Sequence, residues 1–512
     1  MKKNTIMLLA LLTFTAGAWA DTKPSFPRHE ETGENSESNP YIISSIEDLD
    51  ALAADVNSGI PYAGKYFKLT AENGLDYSGQ KTFTPIGYGD NTDGKPFSGI
   101  FDGNGKTISG ITVNTPKAWG VGLFGYISKA TIKNVTITNS SFTAEGFVGA
   151  IAGCSDEVDD SKKPAIENCH VTNSVTVTAS NFGTGGIIGI DNDNLTIKDC
   201  TCAATVTSSD TESKPGGIIG VAYEDSYMAT ITDSYYLGNL PAIGENGGQN
   251  GHVIINITLL NDDSQATVKN TTRIANYNGE TANVTLDSRT LYKDGAWNTL
   301  CLPFSITSFT GTPLEGATVK ALTSSAFDDE ESKLTLNFTE DANNLTETEA
   351  GTPYIVKWGS GTDVENPVFS GVTINNTQNT STSTTDVDFV GSFSPVGLEA
   401  NNTTLFLSKD NKLYYPSANM TVGSCRAVFQ LKGDLAAGDP TAGDPTVEAR
   451  AFVLNFGEET TGIVEITDPT PGPSPAWEGR SAAWFSLDGR KLSGKPTQKG
   501  VYVNNGKKIV IK

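Results

Sequence analysis

Histidine and cysteine are scarce: three and six in 512 residues. His29, His170 and His252 lie far apart, none beside a G-x-S-x-G motif, and no H-x-x-x-H or C-x-x-C spacing occurs. Nucleophilic triads and zinc sites are therefore disfavoured, and so few cysteines in so long a chain do not make a disulfide scaffold. Arginine is absent between Arg28 and Arg273, which removes the usual proton-abstracting base of a polysaccharide lyase from that whole region. Positive charge is short overall. With 36 basic against 59 acidic residues the formal charge is −23, which opposes nucleic acid and other polyanions as partners.

Long apolar runs are also missing after the first twenty residues, so no transmembrane segment is expected. Those twenty carry Lys2 and Lys3, the run TIMLLALLTFTAG, and AWA before Asp21. They read as a signal peptide (1–20) cleaved after Ala20. No cysteine follows the cut to carry a lipid, so the expectation is a protein exported to the medium or the cell surface.

What the chain does have is repetition. The stretch TGGIIGIDNDNLTIKDCTC, 184–202, lacks the last glycine of a dinucleotide loop, the fifth ligand and turn glycine of an EF-hand, and the spacing of a calcium-binding nonapeptide. It is instead one copy of a unit. VGLFG (Gly122, Gly125), GAIAG (Gly149, Gly153), GGIIG (Gly186, Gly189) and GGIIG (Gly217, Gly220) recur at steps of 28, 36 and 31 residues. Each is followed by a second element, IKNVTI, IENCHV, IKDCTC and ITDSYY, at steps of 34, 31 and 34. Periods in this range mark solenoids or propellers. The β-branched alternation of ATIKNVTITNSSFTA sets Ile132 in phase with Thr136 and Val135 with Ile137, which is strand chemistry. Short strands joined by Gly, Asn and Ser turns make an all-β solenoid, with the motif glycines expected at turns of positive φ. Upstream, Ser45 precedes Ile46, Leu49, Leu52 and Val56 at helical spacing, with Asp48 as capping-box partner; such a helix would cap the first coil.

These repeats, with the lead-in YIISSIEDLDALAADVNSG, FTPIGYG and FSGIFDGNGKTISGI, resemble those of the GLUG-motif proteins of bacterial surfaces; GAIAG departs from the pattern. The resemblance covers roughly residues 40–240 and implies a right-handed parallel β-helix in an outer-membrane or secreted adhesin. The expected parts are a polar tail (21–39), the β-helix (40–243), a Gly-rich linker (244–251), a β-sandwich-like module (252–466), a Pro-rich linker (467–480) containing PTPGPSP, and a tail (481–512). The sandwich module is similar to an uncharacterised β-domain that accompanies repeat regions in secreted proteins of Gram-negative anaerobes. The tail carries seven Lys or Arg against one Asp after residue 481. Its LDGRKL and KGVYVNNGKKIVIK resemble a type IX secretion sorting domain, implying the secretion machinery as a partner, and Asn505-Gly506 suits a hairpin turn.

Cys169 and Cys200 fall at equivalent repeat positions and read as packed small side chains, with a disulfide as the alternative; Cys301 and Cys425 could equally be paired or free. Candidate ligand-facing residues are Asp156, Asp159, Asp160, Asp191 and Asp193, just after the glycine motifs, and the aromatics Trp358, Tyr414 and Tyr415, which with Trp297 and Tyr354 could stack on sugar rings. No motif calls for a cofactor or a metal, and no catalytic residue is assigned. The expected function is adhesin-like binding of an extracellular glycan or protein. The alternatives are a polysaccharide lyase or hydrolase, which needs those aspartates to converge in a cleft, and a purely structural surface component.

Overall fold

The computed structural model describes residues 35–79, 83–89, 94–156, 162–211, 213–222, 228–246, 253–340, 344–376, 380–408, 411–437, 448–449, 451–457, 460–465, 484–486, 491–492, 500–504 and 507–511. The signal peptide, most of the polar tail and the Pro-rich linker lie outside them. The regular structure of the described residues is nearly all strand, with two helices, neither long and apolar enough to cross a membrane. They divide into two compact units, the first built from the chain up to Thr258 with 267–284 and 370–376, the second from 259–266, 285–369 and 377–512.

The first unit is a parallel β-solenoid of about six turns. Each central turn visits three sheets in order. Thr131–Thr138 lies in a long sheet, Ser141–Val148 in a second and Ala152–Asp156 in a third, and the next turn repeats this with Ala165–Glu167, Thr176–Ala179 and Ile188–Asn192. Neighbouring turns pair in parallel and in register: Ile132 faces Ile166, Ile166 faces Ile197, and Ile197 faces Ile231. Phe101 and Ile255 extend this column, and all six side chains are buried. Burial of one such side chain is worth about 1.5–3 kcal/mol.

The expected alternation fails at one point per turn, and the reason is conformational. Ile132, Val135 and Ile137 are all buried, although an unbroken strand would put Ile132 on the opposite side from the other two. Asn134 adopts φ 58° and resets the phase; Asn168, Asp199 and Asp233 do the same at φ 48°, 54° and 46°. Asn and Asp tolerate this left-handed region best among residues with a Cβ. Asn168 Nδ2 donates to Asn134 Oδ1 at 2.9 Å, and Asn134 Nδ2 to Asp102 Oδ1 at 2.9 Å, so the corners stack as a polar ladder. Beside it, Lys68, Asp102, Lys133, Glu167 and Lys198 face one another in register with alternating sign. Opposite charges directly across strands favour that register over slipped ones.

The motif glycines are needed for a different reason from the one expected. None of the eight has positive φ. A Cβ on Gly220 would lie 2.5 Å from Gly189 O and 2.6 Å from the backbone of Thr184; on Gly189 it would lie 2.4 Å from the backbone of Phe147 and Val148. The constraint is close approach of backbones. In the paired Ile187-Ile188 and Ile218-Ile219 every side chain is buried, as expected of a sheet covered on both faces.

Helix α1 (Ile46–Asn57) forms as expected, with a reciprocal capping box between Ser45 and Asp48 and with Leu49, Leu52 and Val56 buried. Asn57 Oδ1 accepts the amides of Gly87 and Tyr88 at 2.8 Å each, fastening the helix to the first turn. Further along, Arg273 in α2 (Asn270–Asn276) donates through Nη1 to Asp233 Oδ1, the Tyr235 hydroxyl and Thr258 O at 3.3, 3.0 and 2.9 Å.

The end of the solenoid differs from the expected boundary. Ile243–Asn246, placed partly in a linker by composition, pairs in register with Ile219–Ala222, and Val253–Leu260 extends the long sheet beside Ala229–Thr232. PAIG, ending at Gly244, is a further copy of the glycine element that its degenerate sequence hides. Residues 247–251 of the expected linker lie outside the described residues.

The second unit contains a six-stranded and a five-stranded sheet. Their shared core includes Leu336, Phe338, Ile355, Phe389, Leu405 and Phe429, with Phe389 and Phe429 stacked at 4.3 Å. This is a β-sandwich-like arrangement. In the tail, Gly500–Asn504 and Lys507–Ile511 form the expected hairpin, but within a four-stranded antiparallel sheet that also includes Trp484–Ser486 and Lys491–Leu492. All six cysteines are free and buried. Cys169 and Cys200 stack between Val135 and Ser234 as packed side chains: the Cys169 amide meets Cys200 Sγ, and the Cys200 amide meets Ser234 Oγ.

Close approach predicts a contrast between two glycines of the solenoid. Gly220→Ala should lower stability by about 1–3 kcal/mol or more through backbone overlap. Gly105→Ala, at φ 71° with nothing within 4 Å, should cost only about 1–2 kcal/mol. Urea denaturation of the two variants checks the order, and equal losses would remove the close-approach explanation.

Candidate functional site

Two features of the solenoid bear on function: the aspartates after the glycine motifs and the outer face of the second sheet. Asp191 lies within the strand Ile188–Asn192 rather than in a turn, opposite Ser155, and Asn192 lies opposite Asp156 on the neighbouring turn. Asp156 and Asp191 therefore lie on neighbouring turns one register position apart, so strand alternation turns them to opposite faces, and only Asp193 stands beside Asp191; Asp159 and Asp160 lie outside the described residues. Asp191 and Asp193 are nevertheless only 2 % and 4 % exposed. The Asp191 carboxylate accepts the Ser155 hydroxyl and, at 3.2 Å, the Asp193 amide. Burial pushes its carboxyl up to about 7, against the pull of Ser155 and the amides of Asp193 and Leu195, while the charge of Asp193 adds to the rise. Among the described residues no group of three His, Cys, Asp or Glu side chains is placed to hold a metal ion. The geometry is that of a sequestered polar cluster in the solenoid wall, not of two solvent-reaching carboxylates.

The aromatic residues proposed as a sugar platform are mostly in the core of the second unit. Trp358 is 3 % exposed and donates its indole N–H to Glu315 O at 2.9 Å. Trp297 stacks on Phe456 at 5.0 Å, and Tyr354 is buried. Tyr415 packs against the core, and half-buried Tyr414 stacks on Phe406 at 6.2 Å. These side chains do not make a common flat surface, because strand alternation turns most of them inward.

The second sheet of the solenoid consists of Thr112–Val121, Ser141–Val148, Thr176–Ala179 and Thr205–Ser208. Its inward column is Val113, Phe142, Val177 and Val206, all buried. The alternate positions face outward in two registered rows, Thr112, Ser141, Thr176 and Thr205 beside Asn114, Thr143, Thr178 and Thr207. Hydroxyls link across turns, Thr176 to Ser141 at 2.9 Å and Thr178 to Thr207 at 3.0 Å. At the ends of three of these strands a row of half-buried aromatics runs from turn to turn: Trp119 to Phe147 at 4.8 Å, and Phe147 to Phe182 at 6.4 Å, both edge-on. Sequence reasoning missed this row. Its signal was available, since Trp119, Phe147 and Phe182 each stand two to four residues before the first glycine of their motif.

No family model matches the chain. Halomucin of Haloquadratum walsbyi is 32 % identical over 183 residues, covering 34 % of this chain and 2 % of its own length. A protein of Evansella cellulosilytica, described as a Gly-rich membrane protein, is 31 % identical over 128 residues, 24 % of this chain and 14 % of its own. The chain thus spans only a small part of the curated relatives it matches. Among solved structures, a protein described as an immunoglobulin A1 protease from Bacteroides ovatus aligns over 43 % of this chain and 76 % of its own, with 19 % identity and a TM-score of 0.31.

The buried carboxyl gives stability a definite pH dependence. Because the folded value, about 7, lies above the ordinary 3.8, the native state holds a proton that the unfolded state has released. Stability from this group is full below pH 4 and is lost as pH rises through 7, by on the order of 4 kcal/mol. Asp191→Asn should flatten that part of the profile, measured as urea midpoints between pH 4 and 8.

Proposed function

We propose that this protein is exported and displayed at the cell surface, where its solenoid binds a neutral glycan along the second sheet. The observation that carries this reading is the pair of registered hydroxyl and amide rows, which offer donors and acceptors at the ~4.8 Å spacing of parallel strands. Farther along the same turns, past Glu145, the row Trp119, Phe147 and Phe182, whose phenylalanines pack against Tyr126, Cys154, Ile190 and Val221, keeps apolar edges half-exposed; hydroxyls and aromatic edges together are the means by which amphipathic sugar rings are held. Neither row carries an ionised side chain, and the chain's acidity disfavours polyanionic polymers. The names of the two curated relatives, halomucin and a Gly-rich membrane protein, support a surface setting, as does the signal-like N-terminus. We also read the glycine elements as GLUG-type repeats and the basic tail as a signal to the type IX secretion machinery. Binding rather than catalysis is assigned, because Asp191 and Asp193 are sealed from the substrate they would have to reach.

Affinity electrophoresis of residues 21–480 through gels containing neutral plant, microbial and host polysaccharides tests this. Retardation without clearing of the polymer is expected, reduced at least fivefold by Thr143→Lys with Thr178→Glu or by Trp119→Ala, and retained by Asp191→Asn. Clearing of the polymer would restore the enzyme reading. Retardation indifferent to the sheet variants would place the glycan elsewhere on the chain and overturn the second sheet as its site; none with any polymer would move the assignment to a protein ligand or a structural role.

A further inference from the structure

The second unit holds a buried guanidinium with no counter-ion among the described residues. Arg289 is 2 % exposed. Its Nη2 donates to Thr299 O at 2.8 Å, while Nε and Nη1 meet no hydrogen-bond partner among the described residues. Burial lowers its affinity for the proton to a pKa of about 10, and the groups that act on it electrostatically are Cys425 and Tyr292, neither of them a carboxylate. Burying an unpaired charge is strongly unfavourable even after relaxation, and the unmade N–H bonds of Nε and Nη1 add to this.

Arg289 lines a cavity of about 130 Å³, together with Arg426, Tyr292, Asn298 and Ser408. Thr299 links the two arginines: its carbonyl accepts from Arg289, and its hydroxyl accepts the amide of Ala427, next to Arg426. Arg426 is itself 9 % exposed and donates to Asn261 Oδ1 at 3.4 Å. One carboxylate also lines the cavity, that of Asp294, and it accepts the Ala296 amide at 3.0 Å.

We infer that this cavity is a binding site for a small monocarboxylate, whose anionic end compensates Arg289 and whose body is covered by Tyr292 and Phe406. Two guanidinium groups and one carboxylate give the lining a net charge of +1, which favours a monoanion over phosphate, and a planar carboxylate matches the planar guanidinium. The volume suits a free small acid or one acidic sugar residue. This site is independent of the solenoid face and of the reading given to it.

The test is thermal unfolding of the full exported chain in sodium acetate and in sodium D-glucuronate, against sodium chloride and sodium phosphate at equal ionic strength. A saturable rise of roughly 3 °C or more with a carboxylate, absent in chloride, is expected. A larger effect of acetate identifies a free small acid as the ligand, and a larger effect of glucuronate an acidic sugar. Arg289→Met should abolish the rise while leaving the ligand-free melting temperature unchanged or higher, because the unpaired charge is gone. An equal rise in chloride, a rise in phosphate alone, no rise in either carboxylate, or a rise that persists in Arg289→Met would overturn the assignment. Should Arg289→Met not fold, line broadening of ¹³C-acetate and of ¹³C-glucuronate by the wild-type protein, reversed by excess of the unlabelled acid, decides the matter; unbroadened signals from both would overturn it.

Discussion

Every property of the solenoid depends on one constraint, that successive turns hydrogen-bond in parallel and in register. A parallel ladder fixes the separation of turns near 4.8 Å and places equivalent residues above one another. Each position then becomes a column with a single physical demand. The isoleucine column answers it with burial, the Asn and Asp column with a tolerated left-handed corner, and the glycine columns with the absence of a side chain. Register also explains why oppositely charged residues alternate on the outside of the long sheet, where a slip by one turn would set like charges together.

Much of this was legible in the residues because repetition multiplies a weak local signal. Four copies of the glycine element and four of IKNVTI defined the solenoid, and Ser45 with Asp48 defined the first helix. The corner at Asn134 was not legible as a break in phase, since Asn within an alternating run reads as one more outward residue. The glycines were found, but their reason was not, because backbone approach between turns is a property of the assembled coil. The far end of the solenoid was missed where Val253–Leu260 lacks a glycine motif and carries only its alternation.

Candidate sites fared differently for the same cause. Repeat spacing put Asp156 and Asp191 on successive turns, yet spacing reveals neither which face of the sheet a carboxylate takes nor whether it meets water or protein. Trp358 and Trp297 were read from composition, and strand alternation took them inward. The cavity beside Arg289 draws on residues from 289 to 427 brought together by antiparallel pairings with no internal repeat, so nothing local announces it.

The three sheets of the solenoid are unequal in extent. The outward hydroxyl rows occupy four strands, while the long sheet continues through turns that contribute no strand to that face. Four strands span three intervals, about 14 Å from first row to last. A glycan bound there as proposed would meet its full set of partners within a few sugar units, and lengthening the polymer further would raise the number of places to bind along it rather than the strength of any one contact.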